Sequence, residues 1–466
     1  MEEPVTLGID VGSSAVKLVI LDVEGNIDMR SFADDLLKPG KGPERIHRPT
    51  AFTDWIWGGV KEQLRGWVPP GYIQRVCITA HGQSGLLVRD GKPHGPLIPW
   101  WAWMPGDVVD EQAELLGTLT RDQTIEAVLP PRGSWLPGRL RQLALELGRC
   151  HGATAIQLKD LLNLQLTGNV CSDPRSLRGW IGGDGATVPP KLERWIGLGE
   201  VTPENISDPR ALAGYVSRSG AHNSGLEMGT EVCIGCDDFT AAMVAMDEGN
   251  RGLLNLATTS EHLAVVASGS DRHERARMRR HAMETGLSYL PRMTDQYPAV
   301  LYSSTNSGGV TLLQAFPELP DAPTGVQNQA LRRLTLLWLT DEMGEPAALE
   351  ELESLPRFDA EIDGRRGLDP DPDHIGGWEA DPNESGIDAR LQGWRIVHGL
   401  VDALEPIREA LKPYTQEGRR VRMAGGLAMV GPVIEARAQR WPQGIELVGG
   451  AEPSGLGAAR LARSGL

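Results

Sequence analysis

Cysteine is scarce: Cys77, Cys150, Cys171, Cys233 and Cys236 are the only five in 466 residues. So few, and an odd number, exclude a disulfide framework and point to a reducing, cytoplasmic setting. Cys233 and Cys236 form one C-x-x-C. No second pair stands at zinc-ligand spacing, so two small apolar residues on a buried strand is the plainer reading. Basic residues are in deficit too, with 46 Lys plus Arg against 62 Asp plus Glu and a net charge of −16. That argues against nucleic acid or an anionic membrane as partner, since either needs a broad basic face. It leaves open an anionic ligand held by a few local groups, such as a nucleotide. No apolar run approaches the ~20 residues of a membrane span. The opening MEEPVTLGID is acidic and turns at once into a strand-like run, unlike a signal peptide. Against these shortages stand 40 % hydrophobic and 23 % charged residues, a composition that excludes disorder over most of the chain. At roughly 150 residues per domain, two or three domains are expected.

The hydrophobic pattern alternates between strands and helices, which predicts an α/β architecture. TLGIDVG and AVKLVILD read as two strands joined through Gly12, Ser13 and Ser14, with a turn at Glu24-Gly25-Asn26. RVCITA at 75–80 reads as a buried strand and 86–93 as a strand entering a turn. Helical patterns fall near 51–66, 107–117, 138–149 and 155–166. Further on, EVCIG leads into a helix by 249, and a second meander covers 252–267. Helices follow near 308–316, 327–340, 388–412, 428–440 and 454–463, with strands at 421–426 and IELVG. The Asp-, Gly- and Pro-rich stretch 355–385 predicts a long ordered loop or flap.

The two meanders repeat each other. Laid over one another at an offset of 245 residues, Asp10 falls on Asn255, Gly12 on Ala257, Ser13 and Ser14 on Thr258 and Thr259, and Lys17 on His262. Two related halves are expected, each opening with a hairpin tipped by hydroxyls. Such turns suit a polyphosphate: Gly12 allows close backbone approach, and backbone N–H groups and hydroxyls donate to phosphate oxygens. Lys17 is placed to reach the same phosphates. Asp10, ending its strand, suits a magnesium ion, which takes one or two carboxylates plus substrate phosphates. The pair Asp237-Asp238 sits at a strand-to-helix junction. An ionised Asp there can accept a hydroxyl proton during phosphoryl transfer, and it can equally be a helix cap. Ala424-Gly425-Gly426-Leu427 follows an apolar strand, where glycines let a flat nucleobase lie against the backbone.

These elements, in this order, resemble the FGGY carbohydrate kinases of the sugar kinase, Hsp70 and actin superfamily. The likeness runs along nearly the whole chain. LGIDVGSSAVKLVILD resembles the family's first phosphate motif and TAHGQSGLLVRDGKPHGPLIPW its sugar-lining segment. KDLLNLQLTGNVCSDPRS is similar to "kDyl…LTG…tD", and GLEMGTEVCIGCDD to the run carrying the catalytic aspartate. ATTSEH stands where "GTS" is expected, and LPRFDAEIDGRRG resembles "LPyl.GeRtP". AGGLAMVGPVIEARAQRW resembles the "GGGA" adenosine motif, and AEPSGLGAARLA the C-terminal "E.aalGAA.lA".

The resemblance implies two actin-like, ribonuclease H-like α/β domains with the active site in the cleft between them. Residues 1–248 would form a sugar-binding domain with the catalytic aspartate, and 249–466 a nucleotide-binding domain. It implies ATP-dependent phosphorylation of a sugar, polyol or related small polyhydroxylated substrate, with Asp237 as general base. Asp10 and Asp237 would lie near Mg2+. Gly12, Ser13, Ser14, Lys17 and Thr259 would contact the ATP phosphates, and Gly309 and Gly426 would border the nucleotide. Gln83, Ser84, Trp100 and Asp238 would touch the substrate. Relatives often form homodimers.

The departures concentrate at the substrate. The family's Trp-x-Asp-x-Arg is here Trp100-Trp101-Ala102-Trp103-Met104, and its Met-His pair is Ser84-Gly85. Thr258 replaces the glycine of "GTS", and Leu427 the third glycine of "GGGA". An ordinary xylulose or glycerol kinase is therefore not expected. Thirteen Trp against five Phe, with three Trp beside the sugar segment, suit either core packing or stacking on a bulkier, less polar substrate. The second reading of the chain is a catalytically inactive, nucleotide-binding regulatory relative.

Overall fold

The computed structural model describes residues 4–13, 15–33, 46, 48–100, 102, 104–130, 133, 135–148, 152–182, 187–198, 203, 205–246, 252–258, 260–267, 271–292, 298–315, 343–361, 368, 374–382, 386–448, 450 and 452–464. They form two compact units, Met1–Ala245 with Ser454–Leu466, and Met246–Pro453. The first unit is not continuous in sequence. The chain returns to the first for its last helix, which a division at 248/249 does not anticipate.

The first unit is built on a six-stranded sheet. Its strands are β1 (Val5–Val11), β2 (Val16–Asp22), β3 (Ile27–Phe32), β4 (Ile73–Ala80), β5 (Leu212–Tyr215) and β6 (Glu231–Cys233), in the order β5-β6-β4-β1-β2-β3. Strands β1, β2 and β3 form an antiparallel meander, while β1, β4 and β6 run parallel. Every residue of β1 is buried, as in a strand covered on both faces, and only Thr6 and Asp10 interrupt its apolar run. The helix Pro49–Leu64 buries Phe52, Ile56, Trp57 and Val60 in the same core.

The second unit repeats this plan. Its strands β7 (Leu253–Ala257), β8 (Glu261–Val266), β9 (Ser288–Leu290), β10 (Val300–Thr305), β11 (Val421–Ala424) and β12 (Ile445–Leu447) lie in the order β9-β10-β8-β7-β11-β12. Strands β7, β8 and β10 form the antiparallel meander, and β7, β11 and β12 run parallel. The internal repeat is thus a repeat of sheet topology.

The residue-by-residue overlay needs one correction. Asp10 pairs with Lys17 across the first hairpin, but Asn255 pairs with Leu263 across the second. The first turn spans 12–15 and the second only 258–260. With Asp10 laid on Asn255, Lys17 therefore meets Leu263 rather than His262. A shift of one residue turns a strand side chain to the opposite face.

Local differences have simple causes. Residues 155–157, expected to start a helix, belong instead to a strand, Thr154–Gln157, whose residues pair with Gly85 to Val88. The helix begins only at Leu158, where Gln157 and Asp160 make a capping box. Before the helix Gly431–Arg440, residues Gly426–Met429 make a tighter 3-10 turn. Within 355–385, Phe358–Asp359 pairs with Gly377–Trp378. The expected helix at 327–340 lies outside the described residues. Among the described residues no helix is long and apolar enough to cross a membrane.

The last helix, Pro453–Arg463, approaches its neighbours through glycine. A Cβ on Gly8 of β1 would stand 2.2 Å from the Gly455 carbonyl oxygen, and one on Gly457 would stand 1.7 Å from that of Ala241. In an exposed helix, Gly→Ala would gain about 1 kcal/mol. Here the sign reverses. Gly457→Ala is expected to destabilise the protein by about 1–3 kcal/mol through overpacking, read as a lower denaturant midpoint.

Candidate active site

At the C-terminal end of β1, Asp10 is buried, 2 % exposed, and faces Lys17 Nζ at 3.6 Å. The intervening turn is closed by Gly12 N–H donating to Ala15 O at 3.1 Å. A Cβ on Gly12 would lie 3.9 Å from both Asp10 Oδ2 and Lys17 Nζ, so glycine keeps the backbone bare where these charges meet. Gly12, Ser13 and Lys17 are half-buried. Ser14 lies outside the described residues.

Beside β1, β4 ends at Ala80, which bridges to Asp237. Thr79 Oγ1 donates to Cys236 O at 2.8 Å and ties the same two segments. Asp237 caps the helix Asp238–Met246: its Oδ1 accepts Thr240 N–H at 2.8 Å and its carbonyl accepts Ala241 N–H at 3.0 Å. Its other oxygen, Oδ2, accepts Arg178 Nη1 at 2.5 Å. The side chain is 1 % exposed. Burial alone would raise its pKa, but Arg178, the Thr240 N–H and Arg175 outweigh burial and hold it below the usual carboxylate range. The cap and the ionised acid expected from sequence are one carboxylate doing both.

Asp238 is different. It is half-buried, and its Oδ1 accepts Phe239 N–H at 2.9 Å and Gly82 N–H at 3.4 Å. Burial, with the charges of Asp237 and Asp10, pushes its carboxyl up to about 7. Three acids therefore share one end of the first sheet, and Asp237 and Asp238 are held in contrasting states.

Arg178 rides on the turn at 173–181, and sequence reasoning missed it. That turn is pinned by Asp173 Oδ1, which accepts the N–H groups of Arg175 and Ser176 at 3.0 Å each. Asp173 Oδ2 faces Lys159 Nζ at 3.1 Å, and Lys159 also pairs with Asp160 at 2.5 Å. Burial would depress Lys159, but Asp160 and Asp173 raise its pKa, so it stays charged. The available signal was Lys159-Asp160 inside an otherwise buried apolar helix: buried charges demand partners.

Two expected substrate contacts are engaged elsewhere. Gln83 adopts φ +61°, rare for a side-chain-bearing residue. Its Oε1 accepts Leu136 N–H at 2.8 Å, and its Nε2 donates to Ser176 O at 3.3 Å. Ser84 Oγ accepts Trp100 N–H at 3.0 Å and bonds His81 Nδ1 at 2.6 Å. Burial, with Arg139, brings His81 down to about 3, so it is neutral. Arg139 donates to the carbonyls of Ala102, at 3.1 Å, and Trp100. These residues shape the backbone that carries Trp100, which is half-buried. Trp101 and Trp103 lie outside the described residues.

Cys77, Cys171, Cys233 and Cys236 are free and buried. The Cys233 thiol and burial push Cys77 up, and burial does the same to Cys236, so neither is a thiolate. Cys150 lies outside the described residues. Among the described residues no group of three His, Cys, Asp or Glu side chains could hold a metal.

In the second unit, Gly309 N–H donates to Thr258 O at 2.9 Å, which brings the start of the helix Gly309–Ala315 to the β7–β8 turn. Gly425 has φ +103°, and a Cβ on it would stand 2.3 Å from Ala257 O. Only glycine lets this strand end pack there. The space around Gly426 is open, with nothing within 4 Å of an added Cβ. Thr258, Gly309, Gly425 and Gly426 thus gather at one end of the second sheet. Thr259 lies outside the described residues. Beneath them Glu261 and Arg437 form a fully buried ion pair, and Asn255 Nδ2 donates to Glu261 Oε2 at 3.2 Å.

A paired-sheet α/β chain with these turns has the actin-like two-domain fold. No protein-family profile matches the chain, and no curated protein matches it in sequence. Solved structures do. The ligand-bound xylulose kinase from Lactobacillus acidophilus matches at 16 % identity and a TM-score of 0.77, over 99 % of this chain and 89 % of that one. The gluconate kinase from the same organism matches at 15 % identity and 0.75, over 99 % and 89 %. The glycerol kinase from Plasmodium falciparum with ADP matches at 16 % and 0.68, over 99 % and 90 %. The resemblance to the FGGY carbohydrate kinases therefore holds throughout the fold.

Two stability measurements test the site. Arg178→Met should cost about 3–5 kcal/mol, because it strands a buried carboxylate, while adding Asp237→Asn should cost much less than the sum of the two single changes. Asp238 has the opposite linkage to Asp237. Its folded pKa is raised, so the unfolded chain loses the proton first, and stability falls as pH rises from about 4 to 7. Asp238→Asn should leave the denaturant midpoint unchanged at pH 4 and raise it at pH 8.

Proposed function

We propose that this protein is an ATP-dependent kinase that transfers the γ-phosphoryl group to a hydroxyl of a small polyhydroxylated acceptor, a sugar, polyol or related compound. The observation that carries the reading is the junction at 237–238. A buried, ionised carboxylate starts a helix next to a glycine-hydroxyl-lysine hairpin, on a fold whose solved representatives are sugar and polyol kinases.

Phosphoryl transfer asks the protein mainly for positioning and charge. The Gly12 turn offers a bare backbone, and Lys17 offers an ammonium 21 % exposed beside it, suited to phosphate oxygens. Thr258, Gly309 and Gly426 offer the backbone and open space that suit the nucleotide. The donor set fits Mg2+: carboxylate oxygens are hard ligands, and this ion needs only one or two beside substrate phosphates. Asp10 would hold it. The resemblance puts Asp237 near the ion as well, with Arg178 Nη1 and Thr240 N–H already holding its carboxylate. Mg2+ supplies neutralisation of phosphate charge. The acceptor hydroxyl gives up its proton to a carboxylate at the junction. The resemblance puts that role on Asp237 and substrate contact on Asp238. The loss of two polar residues at Ala102 and Met104, both buried, argues for an acceptor other than xylulose or glycerol.

The test is ADP release by the purified protein with Mg·ATP against ketoses, polyols, aldonates and cyclitols. One compound is expected to stimulate release, and Asp237→Asn to abolish the stimulation. ATP binding without any stimulating compound would favour the regulatory reading. No ATP binding at all would overturn the assignment of both hairpins.

A further inference from the structure

We propose that the buried pair of Glu261 and Arg437 acts as two positioning residues for the nucleotide. The pair holds the turn 258–260 and the helix behind Gly425 and Gly426 at a fixed spacing, so that one ligand can span both. The proposal rests on the kinase reading above and deepens it at the nucleotide end.

The pair joins the two segments at their roots. Glu261 is the first residue of β8, directly after the turn. Arg437 lies on the helix Gly431–Arg440, which follows the two glycines and the 3-10 turn. Both side chains are wholly buried, and Arg437 Nη2 donates to Glu261 Oε2. Each partner is also held from its own side. Asn255 Nδ2, on β7, donates to Glu261 Oε2 at 3.2 Å and to His262 O at 3.3 Å. Arg437 Nη1 donates to Val433 O at 3.1 Å, in the first turn of its own helix. Its guanidinium also lies 5.6 Å from the centre of the Trp441 ring. The carboxylate is thus fixed to the strands and the guanidinium to the helix, and the bond between them transmits position.

Stability gives little reason for charge at this place. A buried ion pair repays little more than its own desolvation, and an apolar pair of similar volume often serves folding as well or better. What the charged pair adds is direction, because a guanidinium binds a carboxylate in a defined geometry. The neighbouring contacts add less. Strands β7 and β11 pair as far as Leu256 and Ala424. Beyond that ladder Gly425 meets Ala257 O and Thr258 Cγ2 by close packing. Thr258 turns its N–H and its Oγ1 inward, to Ser260 O at 3.2 and 3.0 Å. The turn is therefore closed on itself, and Glu261 with Arg437 carries the register between turn and helix.

The consequence is selective. A molecule that touches only one segment needs no fixed spacing. A molecule that spans both, with its base at the open space beside Gly426 and its phosphates at the turn, gains from the second segment only while the spacing is right.

The experiment titrates Mg·ATP, adenosine and inorganic tripolyphosphate into the full-length protein, with ligand-observed NMR to read millimolar binding. The variant is Glu261→Leu combined with Arg437→Met, which removes both charges and strands neither. Its thermal midpoint should stay within a few degrees of the wild type. Its Kd for ATP should rise about 10- to 100-fold, while those for adenosine and tripolyphosphate change less than threefold. Arg437→Lys keeps the charge and loses the fork. It should show the same pattern at smaller size, and it decides the matter if the double variant does not fold. ATP affinity within threefold of the wild type in a folded variant overturns the proposal. So does a weakening of all three ligands alike, which is what a general loss of structure would give. A wild-type protein that binds no ATP refutes the nucleotide assignment itself, and that result is seen before any variant is made.

Discussion

The buried pair of Arg178 and Asp237 is the constraint around which the first unit is arranged. A carboxylate 1 % exposed cannot stay ionised without compensation, and breaking such a pair leaves an uncompensated charge in low dielectric. Everything behind Arg178 serves to keep it in place. Its turn is held by Asp173, Asp173 by Lys159, and Lys159 by Asp160 on the helix Leu158–Thr167. Gln83 and Gln157 both donate to Ser176 O and fasten the same turn to the segment after β4. The polar interior is thus one connected network. In such a network each charge leans on the next, and one deletion is felt through the chain.

The two units show the same sheet solving two different tasks. In the first, the turn after β1 carries Asp10 and Lys17 as a charged pair across the hairpin. In the second, the matching strand carries Asn255 opposite Leu263, and the buried charge moves to Glu261 and its partner Arg437. Shortening the turn by one residue is what allows this, since register decides which side chains share a face. The shared topology says how each sheet is built. The chemistry at each end is decided by a few positions beside the turn.

How much was legible in the sequence follows the same division. Strands β1, β4 and β7 were readable because burial on both faces makes them predominantly apolar. Strand β3, IDMRSF, was not read, because it is a short edge strand with most residues exposed. The short strands β5 and β9 carry too few residues for a pattern. Among site residues, Asp10, Gly12, Lys17, Asp237 and Asp238 were named from local motifs, and the structure brings them to one end of the first sheet. Arg178 was not named. Its partner lies 59 residues away, and a lone Arg after SDPRS has no local signature of a buried ion pair. Gln83 was read as a substrate contact because the resemblance gave no sign that Leu136 N–H and Ser176 O would engage both ends of its amide.

Adjacent acids in one turn give the protein two electrostatic environments from a single dipeptide. Asp237 points into the protein, where Arg178 and the helix N-terminus favour its charge, and it adds stability at neutral pH. Asp238 points to the half-buried side, where Asp237 and Asp10 oppose its charge, and ionising it costs stability. A chain selected for stability alone would place a neutral residue at 238. The stabilising acid makes its neighbour costly, and one turn thus holds a carboxylate favoured as an anion beside one favoured as an acid.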